Sequence, residues 1–217
     1  TEPKVPDFSK YYDIELKKKA FFKFLTPHIR VENNWLQKQR TKLLTLLESS
    51  QLPPSDRAWF TSLCTKFRVH CNNSLPIKLN ALLGKVDILP ESMVLMQAAN
   101  ESAWGTSRFA RNNLNFFGQQ CFKKGCGTVP LRRGKGQKQE VARFTSVRDS
   151  VHHYFMNINS FSRYQKMRMI RAQLRKEGKS VTGVALAGGL LPYSERGEFY
   201  VREIRQMIRH NQKLIEL

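Results

Sequence analysis

Apolar residues recur at helical spacing through the first 85 positions, and prolines and glycines punctuate them. Residues 1–9 carry Pro3 and Pro6 and read as an irregular arm. The pattern from Tyr12 to Leu25 predicts a helix that Pro27 interrupts, and a second helix runs from Ile29 to Leu47. Pro53-Pro54 separates it from a third, capped by Ser55, with Trp59, Phe60, Leu63 and Phe67 along one side. Pro76 to Leu83 predicts a short helix that Gly84 stops. An apolar helix follows over 90–103, then a helical turn from Thr106 to Arg111.

The character then changes. Leu114–Gly118, Thr128–Leu131 and Glu140–Thr145 are short strand-like runs, joined by turns at Gly125-Cys126-Gly127 and Gly134-Lys135-Gly136. Helices resume where Ser146-Val147-Arg148-Asp149 forms an S-x-x-D capping box before Val151–Ile158. Ser162 to Glu177 predicts another helix, closed by Gly178. A small-residue helix over Val181–Ala187 ends at Gly188-Gly189, and Ser194 caps a last helix to Leu214. The fold class is therefore mainly α with a small β-lobe, an α+β chain in which residues 1–85 form a helical region. Residues 86–217 form a second domain, with the β-lobe at about 114–145.

The charge narrows the partners. The chain has 37 basic and 17 acidic residues, a net charge of +20, which implies an anionic partner such as nucleic acid, acidic lipid or an acidic polysaccharide. The basic residues are dispersed, with clusters no longer than Lys17-Lys18-Lys19, which argues against nucleic acid. No run approaches the roughly 18 apolar residues of a membrane helix. The four cysteines fall into two local pairs, Cys64/Cys71 and Cys121/Cys126. That spacing favours disulfides and an oxidising compartment. Cys121 and Cys126 flank a tight loop and are the favoured bridge. Cys64 and Cys71 would lie roughly 10 Å apart on one continuous helix, so they pair only if the helix ends near His70. No C-x2-C occurs and the histidines do not cluster with the thiols, so neither a metal nor a cofactor is expected.

The stretch QAANESAWG places one carboxylate, Glu101, where an apolar helix runs into a small-residue turn. The segments QAANESAWGTSRFA, NNLNFFG, EVARF and YSERGEFYVREI occur in that order over about residues 86–213. In this the chain resembles bacterial Bax-type proteins of the glucosaminidase superfamily, glycoside hydrolase family 73. The resemblance implies a lysozyme-like fold and a peptidoglycan hydrolase, an endo-β-N-acetylglucosaminidase acting on glycan strands. It makes Glu101 the general acid. The chemistry asks for the same thing, because the leaving oxygen of a glycoside must be protonated and burial against apolar groups disfavours the anion of a carboxyl donor. The bland reading is a surface Glu at a helix end.

A second carboxylate usually completes such a site. Between Ser102 and Arg148 the only acid is Glu140, read either as a base that activates water or as a cross-strand charge partner. Tyr193 is the third candidate. The family's Y-A-T-D-P-x-Y motif corresponds here to YSERGEFY, one residue longer, and its Tyr orients the acetamido group or the attacking water. Tyr200 is assigned to packing and Glu195 to the first turn of the last helix. Trp104, Asn113, Asn115, Phe116 and Phe117 are the expected substrate-binding residues that shape the cleft floor, with one of the two phenylalanines turned into the core. His152-His153 are expected on a helix surface, and Arg108 either meets substrate carboxylates or is solvated. The alternatives are a lytic transglycosylase on the same plan and a non-catalytic wall-binding module. The chain opens on Thr1 and not on Met, which reads as a preceding segment removed, and the expectation is an exported periplasmic or cell-envelope protein whose partner is the anionic peptidoglycan strand.

Overall fold

The computed structural model describes residues 4–215 apart from Cys71, Arg132 and Lys135. The first three residues of the arm and any pairing of Cys64 with Cys71 thus lie outside the described residues. The chain is mainly helical with a three-stranded antiparallel sheet, as the pattern implied.

The helices are α1 (Ile14–Ser49), α2 (Arg57–Lys66), α3 (Leu75–Lys85), α4 (Glu91–Ser102), α5 (Arg108–Asn113), α6 (Val147–Ser160), α7 (Gln165–Lys176), α8 (Gly183–Leu186) and α9 (Glu198–Ile215). The strands are β1 (Gln120–Cys121), β2 (Gly127–Thr128) and β3 (Glu140–Ala142), with β3 in the centre. Two compact units emerge, and they interleave in sequence. The first gathers residues 1–30, 91–154 and 206–217; the second gathers 31–90 and 155–205. Helices α1, α6 and α9 each divide between them. Among the described residues no helix is long and apolar enough to cross a membrane.

In the first unit the core is the aromatic face of α1 and all sides of α4. Phe21, Phe22, Leu25 and Ile29 are buried, and so is every residue from Met93 to Ala99. A helix apolar on all faces has to be buried on all faces. Arg30 clamps the start of α4 with a two-pronged bond to Glu91, at 2.8 and 3.2 Å. In the second unit Leu36, Leu43, Phe60, Leu63, Phe67, Leu79, Leu82, Met167, Leu186 and Ile204 are buried. Gly189 lies against the α7 backbone, where a Cβ would meet the Met167 Cα at 2.2 Å.

Several elements differ from the sequence reading. Pro27 sits inside α1 and does not break it. A proline removes one backbone donor, and the buried residues at 21, 22, 25 and 29 on either side outweigh that loss. Gly84 lies within the last turn of α3 and not after it. Asp56, after a 3-10 turn at Pro54–Asp56, precedes α2 in place of Ser55. Leu114–Gly118 is not a strand: Leu114 is the left-handed C-cap of α5 at φ 54°, and pairing begins only at Gln120. The second strand is Gly127–Thr128, not Thr128–Leu131. Glu195 lies in the turn before α9, which starts at Glu198. The Ser146 capping box forms, with the Asp149 N–H donating to Ser146 Oγ at 3.0 Å. Gly178 closes α7 at φ 66°.

Candidate active site

Glu101 stands half-buried in the last turn of α4. The backbone after it is unusual: Ala103, Trp104 and Gly105 have φ of 49°, 56° and 78°. Each non-glycine residue in the left-handed region costs roughly 1–2 kcal/mol, and such strain gathers at functional sites. Ser102 holds the turn. Its Oγ donates to the Ala98 carbonyl at 2.6 Å and accepts the Gly105 N–H at 2.8 Å. The Trp104 N–H reaches back to the Ala99 carbonyl at 2.8 Å. The Trp104 ring packs against Phe21 and Phe22, with centroids 5.5 and 5.7 Å away, and the Lys18 ammonium lies 5.2 Å over it. Trp104 thereby anchors the turn on α1. Gly105 admits no side chain, because a Cβ would fall 2.4 Å from the Phe8 ring.

The Glu101 carboxylate faces Gly118. That glycine is exposed, has φ 63°, and a Cβ on it would lie 2.9 Å from Glu101 Oε2. The bare backbone at 118 is what leaves the carboxylate room. One turn earlier on the same face of α4, buried Gln97 accepts a hydrogen bond from the Tyr154 hydroxyl of α6. Phe117 stacks on that tyrosine with ring centroids 4.2 Å apart. Helix α4 is therefore fixed one turn below its acid.

The segment between Asn113 and Gln119 is built inward. Asn113 donates to the Val141 carbonyl at 3.1 Å and accepts from Thr128 Oγ1 at 3.1 Å. Asn115 donates to the Gln119 and Ala142 carbonyls at 2.8 and 3.0 Å and accepts the N–H groups of Phe117 and Gln119. Both amides are buried and Asn115 is saturated by these partners, so they tie α5 and the loop to the sheet. Phe116 and Phe117 are both buried. The expectation that one would face outward fails because the segment is a turn and not a strand. These four residues support the floor from beneath. Arg108 is exposed against the ring of Phe109. His153 is exposed on α6, and its Nδ1 lies against Gln119 Oε1.

Glu140 opens β3 opposite Cys121. Its two oxygens accept the N–H groups of Gly125 and Gly127, at 3.0 and 2.9 Å. These bonds hold its carboxyl below the usual glutamate range, with Arg133 and Lys124 adding a smaller pull. Cys121 and Cys126 form the disulfide that closes this loop. The two sulfurs and the Glu140 carboxylate lie within 4.8 Å of one another, but bonded sulfurs are not thiolates and the trio is not a metal-ligand set.

Tyr193 belongs to the second unit, at the end of a 3-10 turn over Leu191–Tyr193. Its ring lies between Tyr164, at 6.2 Å, and Tyr200, stacked at 5.5 Å. Tyr200 is buried inside α9, as assigned. Sequence reasoning missed Ser102, Gln97 with Tyr154, and Gly118. The glycine that ends NFFG was visible, but the strand assigned to that stretch hid its role.

A family model described as mannosyl-glycoprotein endo-beta-N-acetylglucosaminidase, the glucosaminidase family, matches residues 78–213. The chain belongs to the glucosaminidase family. It is also similar to Protein bax of Escherichia coli (strain K12), with 37% identity over 212 residues, covering 97% of this chain and 76% of the relative. The Bax-type resemblance read from the motifs is thereby borne out. No solved structure matches the chain. As a member of the glucosaminidase family, it falls among glycosidases, with a glycan as the class of substrate.

Proposed function

We propose that the chain is an endo-β-N-acetylglucosaminidase of peptidoglycan strands, exported to the cell envelope, with Glu101 as general acid. The observation that carries this reading is the placement of Glu101 at a strained left-handed turn, its carboxylate against a side-chain-free, exposed backbone position at Gly118. The acid gives its proton to the glycosidic oxygen as the C1–O bond breaks. Water then adds at C1 and loses a proton. Glu140 is a poor candidate for taking that proton, since both of its oxygens already accept backbone bonds that favour its anion. We assign it to holding the disulfide loop. Tyr193 enters on its motif alone, as a group that orients the acetamido group or the water, and Tyr193→Phe tests it.

The engagement of Glu140 favours one further reading. It is the only acid between Ser102 and Arg148, so no second carboxylate on this segment is left to act as base. A lytic transglycosylase needs a single acid and closes a 1,6-anhydro ring in place of adding water. Mass spectrometry of fragments from treated wall material separates the outcomes, with the wild type run beside Glu101→Gln. Hydrolysis gives fragments heavier by one water, with reducing N-acetylglucosamine ends, and Glu101→Gln gives none. Anhydro ends from the wild type would replace hydrolysis with transglycosylation. Pelleting with the wall and no soluble fragments would make the chain a binding module, and full activity in Glu101→Gln would remove the acid from the mechanism.

A further inference from the structure

Three helices of the second unit end close together, and cations hold their last carbonyls. Lys85 Nζ donates to the carbonyls of Phe67 and Arg68 beyond α2, at 2.9 and 3.1 Å. Arg168 Nη1 donates to Ile158 and Phe161 at the end of α6, at 2.9 and 2.8 Å. At the end of α3, Arg40 Nη1 reaches the Leu83 carbonyl at 2.6 Å and Arg171 Nη2 the Gly84 carbonyl at 3.3 Å. A helix C-terminus carries only about half a negative charge. Asp87, bound by Arg175, is the one carboxylate lining this region among the described residues. Arg40, Arg68, Lys85, Arg168, Arg171 and Arg175 therefore leave positive charge in excess.

Three of these cations, Arg68, Lys85 and Arg168, line a cleft of about 560 Å³ between α3 and α7, with no carboxylate among the described residues of its walls. Lys85 and Arg168 form its charged floor. Burial, and then Arg168 and Arg68, push the Lys85 ammonium below its usual range, a crowding that an anion relieves. Lys85 gives the two helix-end carbonyls two of its three N–H donors. Arg168 is 7% exposed and uses Nη1 for its two carbonyls. At the rim Arg68 lies 4.1 Å from the Phe161 ring centroid. Its φ is 56°, where glycine would be unstrained, so a long cation is kept there against backbone preference. Around the charges stand Ala81, Ala172 and Met169, with the amides of Asn80 and Gln165. A ligand that uses this lining carries a carboxylate, methyl-sized apolar groups and amides side by side.

We propose that the α3–α7 cleft binds a short peptide by its free carboxylate, with the carboxylate on Lys85, Arg168 and Arg68 and small side chains against Ala81 and Met169. The choice of a peptide of the kind carried by wall glycan rests on the function proposed above. A phosphate polymer would gain from the cations and nothing from the apolar walls.

Calorimetric titration of the full chain with acetyl-Ala-Ala-Ala, its C-terminal amide and inorganic phosphate tests this. The free acid is expected to bind, the amide at least tenfold more weakly, and phosphate to displace the acid only at far higher concentration. Arg68→Gly relieves the backbone and removes a cation; Ala81→Glu places a carboxylate in a half-exposed wall. Each is expected to weaken the acid tenfold or more without lowering the melting temperature. Equal binding of acid and amide, no binding of either, unchanged affinity in both variants, or displacement by phosphate at the peptide's own concentration overturns the proposal. Glu101→Gln is expected to bind the peptide like the wild type. A wild type that cleaves glycan but binds no peptide therefore counts against this cleft alone, and cleavage by Glu101→Gln counts against the general acid alone.

Discussion

At the scale of single residues, the candidate site depends on what is missing at position 118. Gly118→Ala places a Cβ 2.9 Å from Glu101 Oε2 and forces a side chain into φ 63°. The backbone term alone costs about 1–2 kcal/mol, and the carboxylate has to move. A fall of tenfold or more in release of wall fragments is expected, with a modest loss of melting temperature. An unchanged rate would separate Gly118 from the acid. Glu140 gives the opposite kind of prediction, a structural one with a pH signature. Its folded carboxyl lies below the ordinary glutamate range, so its contribution is present above the unfolded value and is lost as pH falls through the folded one. Glu140→Gln also turns an N–H₂ group toward one of two N–H donors. Thermal melts should show the variant less stable at neutral pH, with the gap closing only in acid, below the normal glutamate pKa of about 4.3. Glu101 was legible from E-S-x-W-G because the motif is local in sequence. The bonds of Glu140 were not, because its partners are backbone N–H groups 13 and 15 residues away, which no side-chain pattern records.

At the scale of elements, α1 shows how tertiary burial overrides a local rule. Pro27 is exposed, while its neighbours Leu25 and Ile29 are buried. The helix runs on from Ile14 to Ser49 because one missing donor is a smaller loss than two turns of apolar contact. Pro27→Ala restores the donor at an exposed site and should stabilise the chain by about 1–3 kcal/mol, read from the urea midpoint. A destabilised variant would mean that α1 is shaped around the proline ring. The same imbalance explains which elements were legible. Helix α4 was visible because seven buried residues in a row allow nothing else. The β-lobe and the start of its third strand at Glu140 were legible too, but the bounds of β1 and β2 were not, because two residues each carry no alternation to read, and Asn113 and Asn115 tie β3 from outside the sheet.

At the scale of the whole molecule, the sequence pattern divides the chain once, near residue 85, whereas the compact units interleave and each draws on both sides of that point. Periodicity marks where helices begin and end but carries no signal for which helices share a core. In the second unit the point where distant segments converge is Asp87, 2% exposed, with Arg40 from α1 and Arg171 and Arg175 from α7 around it. Arg175 grips both oxygens at 2.5 Å, while Arg40 and Arg171 stand at 3.5 and 3.7 Å and also donate to backbone carbonyls. Arg171 is almost completely buried, and burial lowers its guanidinium to about 10, still protonated at neutral pH. Asp87→Asn removes the only negative charge in contact with these three cations among the described residues. Breaking a buried pair from one side costs about 3–5 kcal/mol, so the urea midpoint should fall by a large part of the total stability. Adding Arg175→Gln to that variant withdraws one of the stranded cations, and the double variant is expected to lose less than the sum of the two single losses. Additive losses would mean that Asp87 and Arg175 are not energetically coupled despite their contact, and that the cost of Asp87→Asn comes from Arg40 and Arg171.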